Sequence, residues 1–258
     1  MIAVRGRAER RQASEVEGLD NEKGSQRRED LRVFSEYYGE EIFELAPFLT
    51  PQHFAPGEVI FEEGEPGTGV YLLVSGKVKL AKRSSGGRRQ ILKLVGPGEI
   101  LGEEVLFSGE GYGGYAKVLE PVRAYYVSTK TLAQFLREHP GVATRLIEHL
   151  AREIKGFQDK ILEASYGSSL ERVARLLLAI ADRWGVEEDG KLYIGVQLSR
   201  AELAELAGIA NETASRLLGR LRDRGMIDFS GAKIFIVDRE RLENLTKPLC
   251  VDLRAILL

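Results

Sequence analysis

The spacing of apolar residues changes twice along the chain. Between positions 31 and 48 it is the spacing of a helix, with apolar residues at Leu31, Phe34, Ile42 and Leu45. Short runs of β-branched, leucine and aromatic residues follow, separated by glycines, until helical spacing returns at Pro140. The pattern therefore predicts a strand-rich region between two helical ones.

The glycine-rich middle of the chain contains six runs with the composition of strands. They are Val59–Phe61, Val70–Val74, Lys77–Lys82, Gln90–Val95, Tyr115–Leu119 and Ala124–Val127. The stretch Ser84–Gly87, read SSGG, has the composition of a hairpin turn. Many short strands with glycine turns are typical of an antiparallel barrel or jelly roll, which we predict over residues 31–139.

Residues 140–166 carry an apolar stripe with spacings of 3, 4, 3, 4 and 3, which is typical of a coiled-coil seam. The stripe consists of Ile147, Leu150, Ile154, Phe157, Ile161 and Ala164. It predicts a homodimer; the alternative is that the helix only packs on the barrel. Leu146 and Leu162 lie off the stripe, so one flank of the helix is free to cover the barrel.

The last part of the chain has the order of elements of a winged helix. Ser168 and Glu171 have the spacing of a capping box, which opens a helix over Ser169–Trp184. A strand at Leu192–Val196, two helices around AGIAN and a hairpin over MIDFSGAKIFIVD follow. The predicted fold class is α+β: a jelly roll, a long dimerisation helix with a hinge over residues 140–166, and a winged helix-turn-helix domain over residues 167–245. Residues 1–30 are predicted as a disordered tail and residues 246–258 as a C-terminal tail.

Composition limits the possible functions. The 258 residues suffice for two domains, and 43% hydrophobic with 29% charged residues is typical of a globular protein. A net charge of -2 means that a nucleic acid would have to meet a local basic patch. One cysteine, Cys250, excludes an intrachain disulfide and a four-cysteine metal site. No apolar run reaches the roughly 18 residues of a membrane span, and the N-terminus lacks an apolar signal core, so we expect a cytoplasmic protein with no membrane partner.

The second helix of the last domain, taken as Asn211 to about Arg224, groups polar residues at its start. Glu212, Ser215 and Arg216 stand at positions i, i+3 and i+4 and therefore share one face. In a major groove, arginine binds guanine with two hydrogen bonds, glutamate accepts from cytosine, and serine serves either strand. The helix is also locally basic, with Arg216, Arg220, Arg222 and Arg224. The alternative is a solvated face on which Glu212 and Arg216 merely form a salt bridge.

Together these parts resemble the CRP/FNR family of bacterial transcription regulators over about Leu31 to Glu243. The stretches FAPGEVIFEEGEPG, VYLLVSGKVKL and GPGEILGEEVLF resemble that family's barrel. The stretch NETASRLLGRLRDRGMI resembles the recognition helix of the FNR branch, whose base-reading pattern is Glu-x-x-Ser-Arg.

The resemblance implies particular DNA contacts. Glu212, Ser215 and Arg216 would read bases, and Asn211 stands where the CRP branch has arginine, which implies half-sites of the TTGAT type. Three cations would hold phosphates: Arg200, Arg220 and Lys233. The expected protein is a homodimer that binds an inverted repeat in double-stranded DNA and activates transcription with RNA polymerase as a partner.

The resemblance to the cyclic AMP branch is incomplete. Gly102 and Glu103 match its ribose-binding pair, but the Arg-Ser pair that holds the cyclic phosphate is replaced in GEGYGGYA, residues 109–116. The adenine-contacting Thr-Ser pair falls at Phe157 and Gln158. An unneutralised phosphate inside a barrel is costly, so we expect the effector to be unknown or absent. A cyclic-nucleotide-responsive regulator remains the alternative.

Other classes of site are disfavoured. The cysteines of an FNR-type iron–sulfur cluster are missing, and the scattered His53, His139 and His149 suit neither a haem ligand nor a metal-dependent cupin enzyme. GEGYGG has the spacing G-x-G-x-x-G without the strand–turn–helix context of a dinucleotide site, so it is interpreted as a loop. We expect no enzyme, cofactor or metal. A sensory dimer that acts only through protein contacts remains a rival to the DNA-binding regulator.

Overall fold

The computed structural model describes residues 25–246, which divide into two compact units. The first contains the chain up to Lys79 together with Leu94–Leu150, and the second contains Leu80–Lys93 together with the chain from Ala151. The tip of the β-hairpin around SSGG thus belongs to the second unit, although its sequence placed it in the barrel. The predicted C-terminal tail and Cys250 lie outside the described residues, apart from Thr246 of the tail.

The first unit begins with helical segments. Helix α1 is described over residues 25–30, so the predicted disordered tail is wrong for these six residues. The reason lies in Asp30, whose carboxylate pairs with Arg123 at 3.0 Å and accepts a hydrogen bond from the Tyr125 hydroxyl at 2.8 Å. The rest of the predicted tail, residues 1–24, lies outside the described part.

The helix predicted over residues 31–48 consists of two elements. Helix α2 spans Arg32–Tyr38, and a 3-10 helix spans Glu40–Phe48. Gly39 separates them with a φ of +83°, in the left-handed region that favours glycine. Both elements bury the predicted apolar residues Leu31, Phe34, Ile42 and Leu45.

Six strands form the antiparallel sheet that the jelly-roll prediction requires. They are β1 (Thr50–Phe54), β2 (Val59–Phe61), β3 (Gly69–Arg83), β4 (Arg89–Val95), β5 (Ile100–Leu101) and β6 (Tyr115–Ser128). The order is β1-β6-β3-β4, with β2 also paired to β6 and β5 to β3. Helices α3 (Val105–Ser108) and α4 (Thr129–Glu138) complete the barrel domain.

Strands β3 and β6 are each longer than predicted, because each joins two predicted strands into one. Gly76 continues β3 between Val70–Val74 and Lys77–Lys82 with a φ of +86°. A β-carbon at this position would lie 2.2 Å from the carbonyl oxygen of Pro121 in β6. Glycine therefore lets the two longest strands approach each other closely, and no break in the strand is needed.

Helix α5 spans Pro140–Tyr166 and occupies the whole range predicted for the dimerisation helix and hinge. Val142 and Leu146 on one flank are buried in the first unit. The predicted seam is uncovered in the single chain: Ile147, Ile154 and Ile161 are 61%, 59% and 66% exposed. Four large apolar side chains of the stripe, counting Phe157 at 36%, thus face solvent along one helix.

The second unit is a winged helix-turn-helix fold, as predicted. The helices of this domain, which follow α5 in the chain, are α6 (Ser169–Trp184), α7 (Arg200–Ala207), α8 (Asn211–Asp223) and α9 (Arg239–Asn244). Its strands are β7 (Val186–Glu188), β8 (Lys191–Tyr193), β9 (Ile227–Ser230) and β10 (Lys233–Ile236), paired in the order β7-β8-β10-β9. The predicted capping box opens α6, because Ser168 Oγ accepts from the Glu171 amide at 3.2 Å and the Ser168 amide donates to Glu171 Oε2 at 2.9 Å.

The strand predicted at Leu192–Val196 is displaced in the structure. Strand β8 ends at Tyr193, and Gly195 turns the chain with a φ of +77°. A preceding strand, β7, escaped prediction because its sequence, Val-Glu-Glu, has only one apolar residue. Strand β7 pairs with β8, and β8 pairs with β10 of the β9–β10 hairpin, which forms the wing.

Candidate DNA interface and barrel interior

Helix α7 begins with a second capping box, which places Arg200 at its first position. Ser199 Oγ accepts from the Glu202 amide at 3.2 Å, and the Ser199 amide donates to Glu202 Oε2 at 2.9 Å. Arg200 is exposed, and its guanidinium lies 5.8 Å from the ring centroid of Phe229 in the wing. A cation at a helix N-terminus beside the wing is well placed for a phosphate.

The turn between α7 and α8 depends on Gly208. This residue ends α7 with a φ of +63° and a ψ of 42°, the left-handed conformation that terminates many helices. Three residues later Asn211 begins α8, whose buried side consists of Ala214, Leu217, Leu218 and Leu221. Leu218 is fully buried, so this side anchors the helix to the interior of the unit.

The opposite side of α8 carries the predicted reading residues. Asn211, Glu212 and Arg216 are exposed and Ser215 is half-buried. Within residues 25–246, neither Glu212 nor Arg216 forms an ion pair, so the salt-bridge alternative does not account for them. The structure thus brings all four residues to the N-terminal half of one helix, with Glu212 and Arg216 available to a ligand.

The remaining predicted phosphate contacts differ from one another. Arg220 is exposed on α8. Lys233 in the wing is instead held by Glu188, with its Nζ 2.7 Å from Oε1 and 2.6 Å from Oε2, and it also lies 5.2 Å from the Tyr193 ring centroid. In the free chain this charge is therefore paired with a partly exposed carboxylate, and the prediction that Lys233 holds a phosphate stays a prediction.

In the barrel, Gly102 has an internal neighbour, Tyr112, that was not predicted from the sequence. The ring of Tyr112 stacks on Phe61 at 3.8 Å between centroids and 10° between planes, and its hydroxyl donates to the Gly69 carbonyl at 2.7 Å. A β-carbon on Gly102 would lie 2.8 Å from the Tyr112 ring. Gly102 therefore makes room for a side chain of the same chain, and the signal in the sequence was one aromatic residue among the glycines of GEGYGG.

The barrel interior also contains three buried polar or charged side chains, those of Tyr112, Glu103 and Lys79. Burial raises the pKa of Tyr112 to about 12, so the phenol stays protonated and donates its hydrogen bond at neutral pH. Glu103 is 3% exposed and Lys79 is 6% exposed, and both take part in polar interactions within the chain. Lys79 is thus a buried cation in the barrel, although the sequence lacks the phosphate-binding arginine of the cyclic AMP branch.

The other two effector-pocket candidates lie in the second unit. Phe157 and Gln158 both belong to α5 and are exposed in the single chain. Phe157 is part of the apolar stripe, and its ring centroid lies 5.8 Å from the ammonium of Lys160.

The histidines have local structural roles or lie on the surface. His139 ends α4, where its Nδ1 lies 3.0 Å from the Phe135 carbonyl and its Nε2 lies 3.1 Å from Glu44. The bond to the Phe135 carbonyl, followed by that to Glu44, raises the pKa of His139. His53 is exposed on β1, and His149 packs at 6.2 Å from the Tyr38 ring.

In residues 25–246, no group of three or more His, Cys, Asp or Glu side chains is placed to hold a metal ion. No helix in this part of the chain is both long enough and apolar enough to cross a membrane.

A barrel followed by a long helix and a winged helix with an exposed polar recognition face defines a DNA-binding regulator. Residues 51–139 match the family model described as a cyclic nucleotide-binding domain, and residues 171–245 match the one described as a Crp-like helix-turn-helix domain. The chain belongs to the CRP/FNR family of transcription regulators.

Several relatives cover most of the chain. A CRP-like cAMP-activated global transcriptional regulator of Mycobacterium tuberculosis is 32% identical over 78% of this chain and 90% of its own. The nitrogen fixation regulation protein FixK of Azorhizobium caulinodans is 30% identical over 78% and 81%. The structure of FixK2 from Bradyrhizobium japonicum matches with a TM-score of 0.69 and 30% identity, over 78% of this chain and 99% of that one.

Replacing Tyr112 should separate its packing from its hydrogen bond. Tyr112→Ala removes a buried ring and should lower the free energy of unfolding by roughly 3–5 kcal/mol. Tyr112→Phe keeps the stack on Phe61 and should cost only about 1 kcal/mol for the lost hydrogen bond. Urea denaturation of both variants measures the difference. Equal stability of Tyr112→Ala and wild type would contradict a packing role for the ring.

Proposed function

We propose that the protein is a homodimeric regulator that reads an inverted repeat in DNA with Glu212, Ser215 and Arg216. The observation that carries the proposal is the exposed side of α8, where Glu212 and Arg216 have no ion-pair partner among the described residues. Burial of Leu217, Leu218 and Leu221 on the other side holds this face outward.

The side chains on this face match the hydrogen-bonding edges of base pairs. The Arg216 guanidinium suits the O6 and N7 atoms of guanine, and the Glu212 carboxylate suits the amino group of cytosine. Ser215 and Asn211 add shorter donors and acceptors beside them. The family resemblance extends this to half-sites of the TTGAT type, because the residue before Glu212 is asparagine and not arginine.

We propose two of the three predicted cations as phosphate contacts. Arg200 and Arg220 are exposed on the same domain. Each guanidinium is proposed to bind a phosphate of the DNA backbone. Lys233 is left out, because Glu188 holds its ammonium.

The dimer is supported by the uncovered stripe on α5. The two largest exposures, those of Ile147 and Ile161, lie about four turns apart on one side of the helix. Pairing two copies of this stripe removes four large apolar side chains per protomer from water, at roughly 1.5–3 kcal/mol for each one fully buried. It also brings together the two recognition helices that a two-fold operator requires.

For the effector, we propose that cyclic AMP is not required. Position 113, ten residues after Glu103, is glycine where the cyclic AMP branch has its phosphate-binding arginine. The Tyr112 ring beside Gly102 already fills space against Phe61. The Mycobacterium tuberculosis relative is named as cAMP-activated, whereas the FixK relative's name mentions no cyclic nucleotide. When bound to its operator, the dimer is proposed to activate transcription through RNA polymerase, as the family resemblance implies.

The assignment of the reading face is tested with three variants in a selection of binding sites from random duplex DNA. Arg216→Ala should cost roughly 1–3 kcal/mol per lost guanine contact and relax the preference at that base pair in each half-site. Arg200→Ala should weaken binding to all sequences alike and flatten its salt dependence. Arg222→Ala is the control on the same helix, since Arg222 pairs with Asp223 at 3.2 Å. If Arg216→Ala loses affinity but keeps every base preference, Arg216 is a backbone contact.

The dimer is tested by placing charges in the stripe. Ile154→Glu combined with Phe157→Glu should give monomers with much weaker operator binding, because four like charges would meet across the interface. Sedimentation velocity measures the change. As a control, Lys155→Glu with Gln158→Glu adds charge at exposed positions outside the stripe and should leave the dimer intact. A stripe variant that still sediments as a dimer would refute this interface.

Cyclic AMP binding is tested by calorimetry at millimolar nucleotide. We expect no saturable heat and no change in operator affinity, with the Mycobacterium tuberculosis relative as the positive control. Saturable binding that also tightens DNA binding would establish a cyclic-nucleotide-responsive regulator instead. In that case Lys79→Gln should abolish it if the buried Lys79 supplies the missing positive charge.

A further inference from the structure

The tip of the β3–β4 hairpin is strongly basic. We call the segment Lys82–Gln90 the basic tip; it carries Lys82, Arg83, Arg88 and Arg89 and contains no acidic residue. All of its residues are exposed. In a chain whose net charge is -2, four cations within eight residues are a marked local excess.

The basic tip has a defined turn. The Ser84 amide donates to the Arg88 carbonyl at 2.8 Å, and the Gly87 amide donates to the Ser84 carbonyl at 2.9 Å. The Ser84 hydroxyl also accepts from the Arg88 amide at 3.1 Å. The cations on either side of the turn are therefore presented from an ordered hairpin.

The base of the hairpin is tied to two helices of the second unit. On α5, Lys160 Nζ donates to the Leu92 carbonyl and Lys93 pairs with Glu153, both at 2.5 Å. On α7, Gln90 Nε2 donates to the Glu205 carbonyl at 2.5 Å, and the Arg89 guanidinium lies 3.4 Å from the Glu205 carboxylate.

These contacts place the hairpin beside the helix-turn-helix turn. A β-carbon on Gly208, the residue that ends α7, would lie 3.5 Å from Gln90 Oε1. Gly208 precedes the first residue of α8 by three positions. The hairpin thus runs alongside the segment that leads into the exposed end of the recognition helix.

We propose that the basic tip is a second DNA contact, which binds backbone phosphates of the duplex that flanks the groove occupied by α8. The inference rests on the proposed DNA-reading function. Phosphates carry the negative charge that the exposed Lys82 and Arg88 complement, and the basic tip is continuous with the proposed DNA interface through Gln90 and Gly208. Each phosphate neutralised releases counterions and adds to the salt dependence of binding.

The proposed contact carries no sequence information of its own. Lysine and arginine side chains on a hairpin turn bind phosphates without reading base edges, so they add affinity for any DNA. The basic tip should therefore strengthen operator binding without changing which operator is preferred.

The test compares two charge-matched variants of the full chain. The tip variant is Lys82→Gln with Arg88→Gln. The control variant is Lys130→Gln with Arg137→Gln, which removes the same two charges from exposed positions on α4. Operator affinity is measured by fluorescence anisotropy from low to high salt, on a selected inverted repeat with about one helical turn of DNA, roughly 10 base pairs, added on each side. Thermal melts check that both variants are folded.

We expect the tip variant to lower the slope of log K against log salt by about 1.8, if each protomer loses one phosphate contact at roughly 0.9 per contact. The control variant should keep the wild-type slope, and both should keep the wild-type base preference. Hydroxyl-radical footprints should show that the tip variant alone loses protection of the flanking sugars.

Two results would overturn the proposal. One is a tip variant with the wild-type slope, affinity and footprint. The other is a tip variant that binds DNA like wild type but loses promoter output with RNA polymerase, because the basic tip would then contact the polymerase. Failure of the wild-type protein to select any DNA sequence would instead refute the proposed function itself.

Discussion

Helix α8 can take only one rotational position in its domain, and the orientation of the polar residues depends on it. Turning the helix by one residue, about 100°, would move its leucines toward water and Arg216 toward the interior. Exposing each leucine costs roughly 1.5–3 kcal/mol, and burying an unpaired guanidinium costs several kcal/mol more. Burial of Leu217, Leu218 and Leu221 thus sets the direction of Glu212 and Arg216. A core mutation on this helix would therefore change the direction of the proposed reading face as well as stability.

The sequence was most informative where structure depends on neighbours in the chain. The bounds of α5 and α6 follow from apolar spacing and from a capping box between Ser168 and Glu171, all of which are local signals. The grouping of Glu212, Ser215 and Arg216 follows from helical geometry for the same reason.

What could not be predicted depends on contacts between distant segments. Lys233 is paired with Glu188, 45 positions earlier, and nothing in the spacing of the wing residues indicates this. Gln90 reaches the Glu205 carbonyl across 115 positions, so the hairpin tip packs with the C-terminal helices and not with the barrel. The role of Tyr112 was hidden in a glycine-rich loop because ring stacking on Phe61 has no local signature. Which charged or aromatic side chains pair with each other depends on the folded structure, because the partners are far apart in the sequence.

The pair Gly102–Glu103 shows that residues matching a ligand-binding motif can have a structural role instead. Glycine at position 102 is required here by the Tyr112 ring, whose nearest carbon lies 2.8 Å from where a β-carbon would be. Glu103 is almost fully buried and engaged inside the chain. Both residues thus have structural reasons to be present in a barrel, with or without a nucleotide.

The uncovered stripe on α5 has a consequence for how such a regulator responds to its own level in the cell. If the DNA-binding form is a dimer held by Ile147, Ile154, Phe157 and Ile161, its amount at low concentration grows with the square of the amount of chain. A twofold rise in synthesis then gives about a fourfold rise in dimer, and in operator occupancy, as long as monomers predominate and most operators are vacant. Weakening the stripe by conservative changes such as isoleucine to valine would move this threshold upward. The strength of one apolar helix face would set the expression level at which the regulated genes respond.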